Sequence, residues 1–177
     1  MQELTQEYLQ SVINYDKETG IFTWKERDIC EFYSIQTYAM WSKKCLNKPA
    51  GHLNIRGYLR ITLNGKSRTL HRLAWLYTYG YMPINYIDHI NGVKTDNRIC
   101  NLREATNSEN CQNIKKCQSN NKSTGLLGVC FRKRENKFQS YICINGKNRS
   151  LGYFNTAIEA HNVYLKAKRK LHPFGML

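Results

Sequence analysis

Residues 86 to 113 read YIDHINGVKTDNRICNLREATNSENCQN, and this stretch decides the fold. A short apolar strand, Tyr86-Ile87, runs into Asp88-His89. A loop rich in Asn, Gly and Asp follows, and a second short strand, Leu102-Arg103-Glu104-Ala105, leads into a helix. Thr106 and Glu109 have the spacing of a capping box, in which each side chain satisfies the other's backbone N–H, so the helix start is fixed there and Asn110 falls on its first turns. A strand-strand-helix hook of this kind brings a carboxylate at Asp88 and an amide oxygen at Asn110 towards one point. Two oxygen donors suit a hard cation such as Mg²⁺, which keeps several waters and takes phosphate oxygens in its remaining positions. His89 leaves the strand on the other side or at its bulged end. With an ordinary pKa near 6.5, an imidazole there can take a proton from water at neutral pH.

Upstream, two alternating runs, Tyr58 to Leu63 and Lys66 to His71, flank Asn64-Gly65, a pair suited to the positive φ values of a type I′ hairpin. Leu73, Ala74, Leu76 and Tyr77 then mark a helix from Arg72 to Tyr79, closed by Gly80 and Pro83. Leu4, Tyr8, Val12 and Tyr15 predict a helix over residues 4 to 15, and Ile21 to Trp24 a short strand. Residues 25 to 50 carry packing aromatics but no assignable element. RITLNGKSRTL at 60 to 70 reappears as YICINGKNRSL at 141 to 151. Either both halves present a basic hairpin to the same ligand, or the same turn chemistry arose twice for folding reasons.

The 177 residues hold 27 basic and 13 acidic side chains, a net charge of +14, which points to a polyanionic partner. Residues 1 to 113 are nearly balanced and keep most of the acids. Residues 114 to 177 carry 13 basic and 2 acidic residues, the footprint of a segment that lies along phosphates. The join, residues 114 to 125, is polar and basic and reads as a linker whose Lys115, Lys116 and Lys122 order along a DNA backbone. No run approaches the roughly 18 apolar residues of a membrane span, and Met1 to Glu7 lacks the regions of a signal peptide. The expected location is cytoplasmic. Seven cysteines without a C-x-x-C pair predict reduced, buried thiols and no zinc.

Beyond the linker, Gly128 to Arg134, Lys137 to Ile144 and Lys147 to Phe154 predict three antiparallel strands, followed by a helix capped by Thr156 and Glu159. Period two in the middle strand turns Phe138, Ser140, Ile142 and Ile144 towards that helix. It leaves Gln139, Tyr141 and Cys143 on an open face, joined there by Arg132, Arg134 and Asn148. Arg and Gln make bidentate contacts with base edges in a major groove. Lys137, Lys147 and Arg149, with Arg60 and Arg68 on the first hairpin, complete the expected DNA contacts.

From Leu70-His71-Arg72-Leu73 through Asp88-His89, Asn101-Leu102-Arg103 and Asn110, the chain resembles the HNH endonuclease family. The resemblance implies a ββα-metal fold and metal-assisted hydrolysis of DNA. It implies His89 as general base, Asp88 and Asn110 as ligands of one Mg²⁺ or Mn²⁺ ion, and Asn101 as the asparagine that braces the loop. Asn110 stands where many members have His, which is the H-N-N pattern of phage-borne homing endonucleases. His71 and Arg72 match a family element but lie outside the hook, so they are expected to pack or to contact phosphate. The segment from Gly128-Val129 through Leu151-Gly152-Tyr153-Phe154 to Glu159-Ala160 resembles the Apetala-type DNA-binding domain of ethylene-response factors, which reads a major groove with its sheet. Cys130 stands where that family commonly has Arg.

The expected architecture is therefore α+β: a nuclease region over 1–113, a linker over 114–125 and a sheet-on-helix DNA reader over 126–177. The expected partner is double-stranded DNA, bound by a monomer that nicks one strand per active site. The alternative is a DNA-binding regulator or architectural protein with an inactive hook. The nuclease reading requires that Asp88 and Asn110 meet across a cation and that a scissile phosphate can reach the ring of His89.

Overall fold

The structure is a computed structural model and describes residues 4–114, 117, 121 and 123–175. It is a mixed α+β protein with several small antiparallel sheets, and it divides into two compact units at Glu104/Ala105.

In the first unit, helix α1 (Gln6–Val12) starts at Thr5, whose hydroxyl accepts from Tyr8 N, and buries Tyr8, Leu9 and Val12. The predicted helix to Tyr15 is cut short. Residues Ile13–Tyr15 form strand β1, paired antiparallel with β2 (Phe22–Trp24) in the register Ile13↔Trp24 and Tyr15↔Phe22. Burying Ile13 and Tyr15 with Asn14 exposed satisfies a strand, so pairing with β2 overrides the helical spacing. The connecting turn is held by the Asp16 carboxylate, which accepts from Glu18 N and from the Thr19 hydroxyl.

Within the stretch that the sequence left unassigned lies helix α2 (Ile35–Cys45), opened by a reciprocal Ser34/Thr37 cap. Strands β3 (His52–Leu53), β4 (Leu59–Leu63) and β5 (Lys66–Thr69) form one antiparallel sheet in that order. At the β4–β5 turn Asn64 and Gly65 adopt φ of 50° and 72°, as the Asn-Gly pair predicts. Helix α3 (Leu70–Tyr79) follows at once and ends at Gly80, which is left-handed. Its residues Leu70, Leu73, Ala74 and Leu76 join Leu9, Ile13, Phe22, Ile61 and Leu63 in the core of this unit. Strands β6 (Tyr86–His89) and β7 (Leu102–Ala105) then form the two-stranded sheet of the hook.

The second unit opens with helix α4 (Asn107–Gln112), which carries the expected Thr106/Glu109 capping box. Strands β8 (Val129–Arg132), β9 (Lys137–Ile144) and β10 (Lys147–Phe154) form an antiparallel sheet in the order β10-β9-β8. Helix α5 (Ala157–Leu171), capped by Thr156 and Glu159, packs on it. Val129, Ser140, Ile142, Ala160 and Tyr164 are buried in this unit. Gly128 is needed for close approach, because a Cβ there would fall 2.1 Å from Cδ2 of Tyr164. Asn145 and Gly146 repeat the turn of the first hairpin, with φ of 50° and 76°.

Three features differ from the expectations. The boundary lies before α4 rather than at residue 113, because the end of α4 is tied to the C-terminal helix region. Lys168, 1% exposed, donates from Nζ to Ile114 O at 2.7 Å, and Phe174 N donates to Gln112 Oε1 at 3.4 Å. The linker is also less bare than its composition suggests, since Asn121 Nδ2 donates to Leu126 O at 2.9 Å and the Thr124 hydroxyl to Val129 O at 3.1 Å. Lys115, Lys116 and Lys122 lie outside the described residues. The seven cysteines are free as expected, but none is buried: Cys30, Cys100, Cys111 and Cys143 are exposed and the other three intermediate. Cys45 packs against the edge of the core of the first unit, and the exposed four lie at short helical turns, on a helix surface and on the open sheet face. No helix among the described residues is long and apolar enough to cross a membrane.

Candidate active site

Strand β6 carries both chemical groups, and its last three residues, Ile87, Asp88 and His89, are buried. Period two sends Asp88 and His89 to opposite sides, so each meets different partners. Asp88 meets Arg103 on β7. Its Oδ2 accepts from Arg103 Nε at 3.0 Å and Nη2 at 2.7 Å, and the side chains are 7% and 22% exposed.

His89 packs against two rings, with Tyr58 at 6.0 Å and His71 at 5.1 Å between centroids. Its Nε2 lies 3.3 Å from Asn97 Oδ1. Burial pushes the His89 pKa below its ordinary value, and the Asn97 contact and the charges of Asp88 and Asp96 only partly offset this. The lowered pKa favours the neutral ring at neutral pH. The ring is also more enclosed than the sequence reading expects, at 4% exposed. Tyr58, on one side of it, is itself covered by Lys94, whose Nζ stands 4.9 Å from the Tyr58 ring and donates to Arg56 O at 2.9 Å.

The loop between the strands is braced from within and from below. Asn101 Oδ1 accepts from Asn91 N at 2.9 Å, and its Nδ2 donates to Asp96 O at 2.8 Å, so one side chain ties the two ends of the loop. Asn91 Nδ2 donates to Asp96 Oδ2 at 2.7 Å. Hydrogen bonds from Arg98 hold the Asp96 carboxyl down at about 2. The β1–β2 hairpin supports the same loop. The Tyr15 hydroxyl donates to Asn97 O at 2.7 Å, Ile99 N donates to Lys17 O at 3.2 Å, and Gly20 abuts the Asn97–Arg98 backbone. Asn97 itself is 1% exposed, and among the described residues its Nδ2 meets no hydrogen-bond partner.

His71 is a packing residue. Burial pushes its pKa down to about 3 and its Nε2 lies 3.3 Å from the Thr69 hydroxyl. Arg72 donates to the carbonyls of Pro83 at 2.8 Å and Asn85 at 3.2 Å, fixing the approach to β6 rather than offering itself to a ligand. Arg60, on β4, pairs across to His52 and Thr69. Arg68 stands opposite Ile61, with its Nε buried. Asn110 lies on α4 in the second unit, partly exposed, in a helix whose start is fixed by Thr106 and Glu109. Among the described residues no group of three or more His, Cys, Asp or Glu is placed to hold an ion. The donor chemistry of Asp88 fits an ion that needs few protein ligands and keeps its waters, which is the habit of Mg²⁺.

In the second unit the open face of the sheet forms a shallow cleft lined by Cys130, Arg132, Gln139, Tyr141, Asn148 and Ser150. Arg132 Nε donates to Gln139 Oε1 at 2.7 Å, and Gln139 Nε2 donates to the Ser150 hydroxyl at 3.0 Å. Lys137 stands opposite Arg132 on the same side. Arg134 is exposed in the turn beyond β8. Two expected contacts fall elsewhere. Arg149 pairs with Ile142 and Lys147 with Ile144, so both project on the side of the sheet that carries α5. Alternation along β10 dictates this, since Asn148 and Ser150 take the open side.

Sequence reasoning named Arg103 in its strand and within the family resemblance but gave it no role, and it gave none at the site to Asn97, Tyr58 or the Tyr15 hydroxyl. Arg103 had a signal, being a cation on the strand that pairs with the one bearing Asp88. The others touch the site only through tertiary contacts.

Residues 68–112 match the family model described as HNH endonuclease, a match that supports nuclease activity on DNA. Neither the curated proteins nor the solved structures include a match to the chain.

Proposed function

We propose that the chain is a site-specific, divalent-metal-dependent endonuclease of the homing type, acting on double-stranded DNA and cutting one strand per active site. The observation that carries this reading is the placement of Asp88 and His89 side by side on β6, each gripped by its own partner, within the segment matched by the HNH endonuclease model. Arg103 orients the carboxylate, while Asn97 and the flanking rings orient the imidazole.

His89 takes a proton from water as the oxygen attacks phosphorus in line; the P–O3′ bond breaks and the departing oxygen takes a proton from solvent water, leaving a 5′ phosphate and a 3′ hydroxyl. Mg²⁺ or Mn²⁺, with Asp88 and, from the motif spacing, Asn110 as protein ligands, would supply charge to stabilise the phosphorane-like transition state and the leaving oxygen. Asn101 keeps the loop closed around this geometry. The C-terminal sheet holds the duplex, with Arg132 and Gln139 towards base edges and Lys137 and Arg134 towards phosphates. Three lysines of the linker, Lys115, Lys116 and Lys122, add phosphate contacts, and the protein acts as a monomer in the cytoplasm.

The enclosure of His89, 4% exposed, favours a second reading, a DNA-binding regulator with a closed and inactive hook. Supercoiled plasmid incubated with the full chain separates the two. The nuclease gives nicked circles with Mg²⁺ and none with EDTA. An unchanged supercoiled band under every condition, with DNA still bound, leaves only the regulator.

A further inference from the structure

Asp88 already holds a cation. Its Oδ2 receives two N–H groups from one guanidinium, at 2.7 and 3.0 Å. The carboxylate side chain is 7% exposed and that of Arg103 22% exposed, so the arginine is the more open of the two to solvent. A divalent ion arriving on Asp88 meets this resident positive charge within a few ångströms, in a place where water screens it poorly. The same planar fork that grips a carboxylate also grips a phosphate. From these observations we propose that Arg103 competes with the metal for Asp88 and that a DNA phosphate ends the competition by drawing the guanidinium away. Metal and DNA then bind cooperatively, each raising the affinity of the other by the same factor. In the absence of DNA the carboxylate stays neutralised and the ion stays weakly bound, which restrains cleavage chemistry until a duplex is present. This rests on the reading of Asp88 as a metal ligand.

The test is Mn²⁺ binding to the full chain, read from the EPR signal of free aqueous Mn²⁺, with and without an uncleavable phosphorothioate duplex. Binding to the duplex alone is subtracted. Wild type is expected to bind Mn²⁺ about three- to tenfold more tightly with the duplex, a coupling of ordinary size. Arg103→Gln, which removes the competing charge, should bind Mn²⁺ without DNA about three- to tenfold more tightly than wild type, as expected for loss of a partly screened charge. It should gain little more from the duplex. Arg103→Lys keeps the charge and should stay near wild type. Mn²⁺ affinity in wild type that does not change with duplex overturns the proposal, whether or not the variants fold. So does Arg103→Gln binding Mn²⁺ no better than wild type while Asp88→Asn abolishes binding, because Arg103 then merely positions the carboxylate. If Asp88→Asn leaves Mn²⁺ binding intact, the metal-ligand reading itself fails, and this proposal with it.

Discussion

Gly20 lies 69 positions before His89 in the sequence, yet replacing it with alanine should disable cleavage. Its φ is +74°, and an added Cβ would sit 2.5 Å from Arg98 N and 2.7 Å from the carbonyl carbon of Asn97. That backbone has little freedom to retreat. The Tyr15 hydroxyl holds Asn97 O at 2.7 Å, and Lys17 O holds Ile99 N at 3.2 Å. The left-handed conformation costs a non-glycine residue about 1 to 2 kcal/mol. Forcing a methyl group into filled space adds about 1 to 3 kcal/mol. Gly20→Ala should therefore lose about 2 to 5 kcal/mol. Gly65→Ala is the control: φ is +72° but an added Cβ would meet none of the described residues within 4 Å, so only the conformational cost of about 1 to 2 kcal/mol applies. The three tryptophans, Trp24, Trp41 and Trp75, all belong to the first unit, so urea unfolding followed by tryptophan fluorescence reports on the unit in question. Because the displaced backbone carries the Asn97 amide that faces His89, the surviving folded fraction of Gly20→Ala should also nick plasmid more slowly than that of Gly65→Ala, with duplex affinity unchanged. Equal stability of the two variants would refute the reasoning, since it rests wholly on the contact between the β1–β2 turn and the loop.

Three further outcomes follow from the same contacts. Burial lowers the His89 pKa below its ordinary value, so the midpoint at which the cleavage rate falls on acidification should lie below pH 6.5; a midpoint above pH 6.5 would contradict this. His71 titrates at about 3 when folded against 6.5 when unfolded, so the unfolded chain binds more protons between these values and stability falls as pH drops below 6.5. Integrated from pH 7 to pH 5 this is a loss of about 2 kcal/mol, visible in urea titrations and absent from that difference in His71→Gln. Lys137→Ala, at a phosphate-facing position, should weaken duplex binding and reduce the slope of log affinity against log salt by about 1, whereas Arg149→Ala, which alters the α5 side of the sheet, should change fluorescence anisotropy titrations much less.

What could be read from the sequence was whatever is encoded locally. The Asn64-Gly65 and Asn145-Gly146 turns, the Thr106/Glu109 and Thr156/Glu159 caps and the alternation along Lys137–Ile144 each carry their own geometry, and all are present. Where two local preferences compete, the outcome depends on distant partners. Leu4, Tyr8, Val12 and Tyr15 have helical spacing, but Phe22–Trp24 supplies a strand for Ile13–Tyr15 to pair with. Helix α2 escaped notice because its cap is Ser34 with Thr37, not the Glu or Gln that marks the usual motif, and because none of its residues is buried. The hook itself was legible as Asp88-His89 and Asn101. The side chains that orient it were not, since Asn97, Tyr58 and Tyr15 reach it only once three separate elements have come together. The cysteines misled for a related reason: their average tendency to be buried says nothing of turns and helix surfaces, where most of the exposed ones sit.

The central claim is that the imidazole at His89 removes a proton from water during strand scission. It is tested most directly by comparing wild type with His89→Ala on one supercoiled plasmid in Mg²⁺, at protein concentrations where both bind the DNA to the same extent. His89→Ala should bind equally well and nick about 10² to 10⁴ more slowly. Nicking at the wild-type rate by His89→Ala would contradict it.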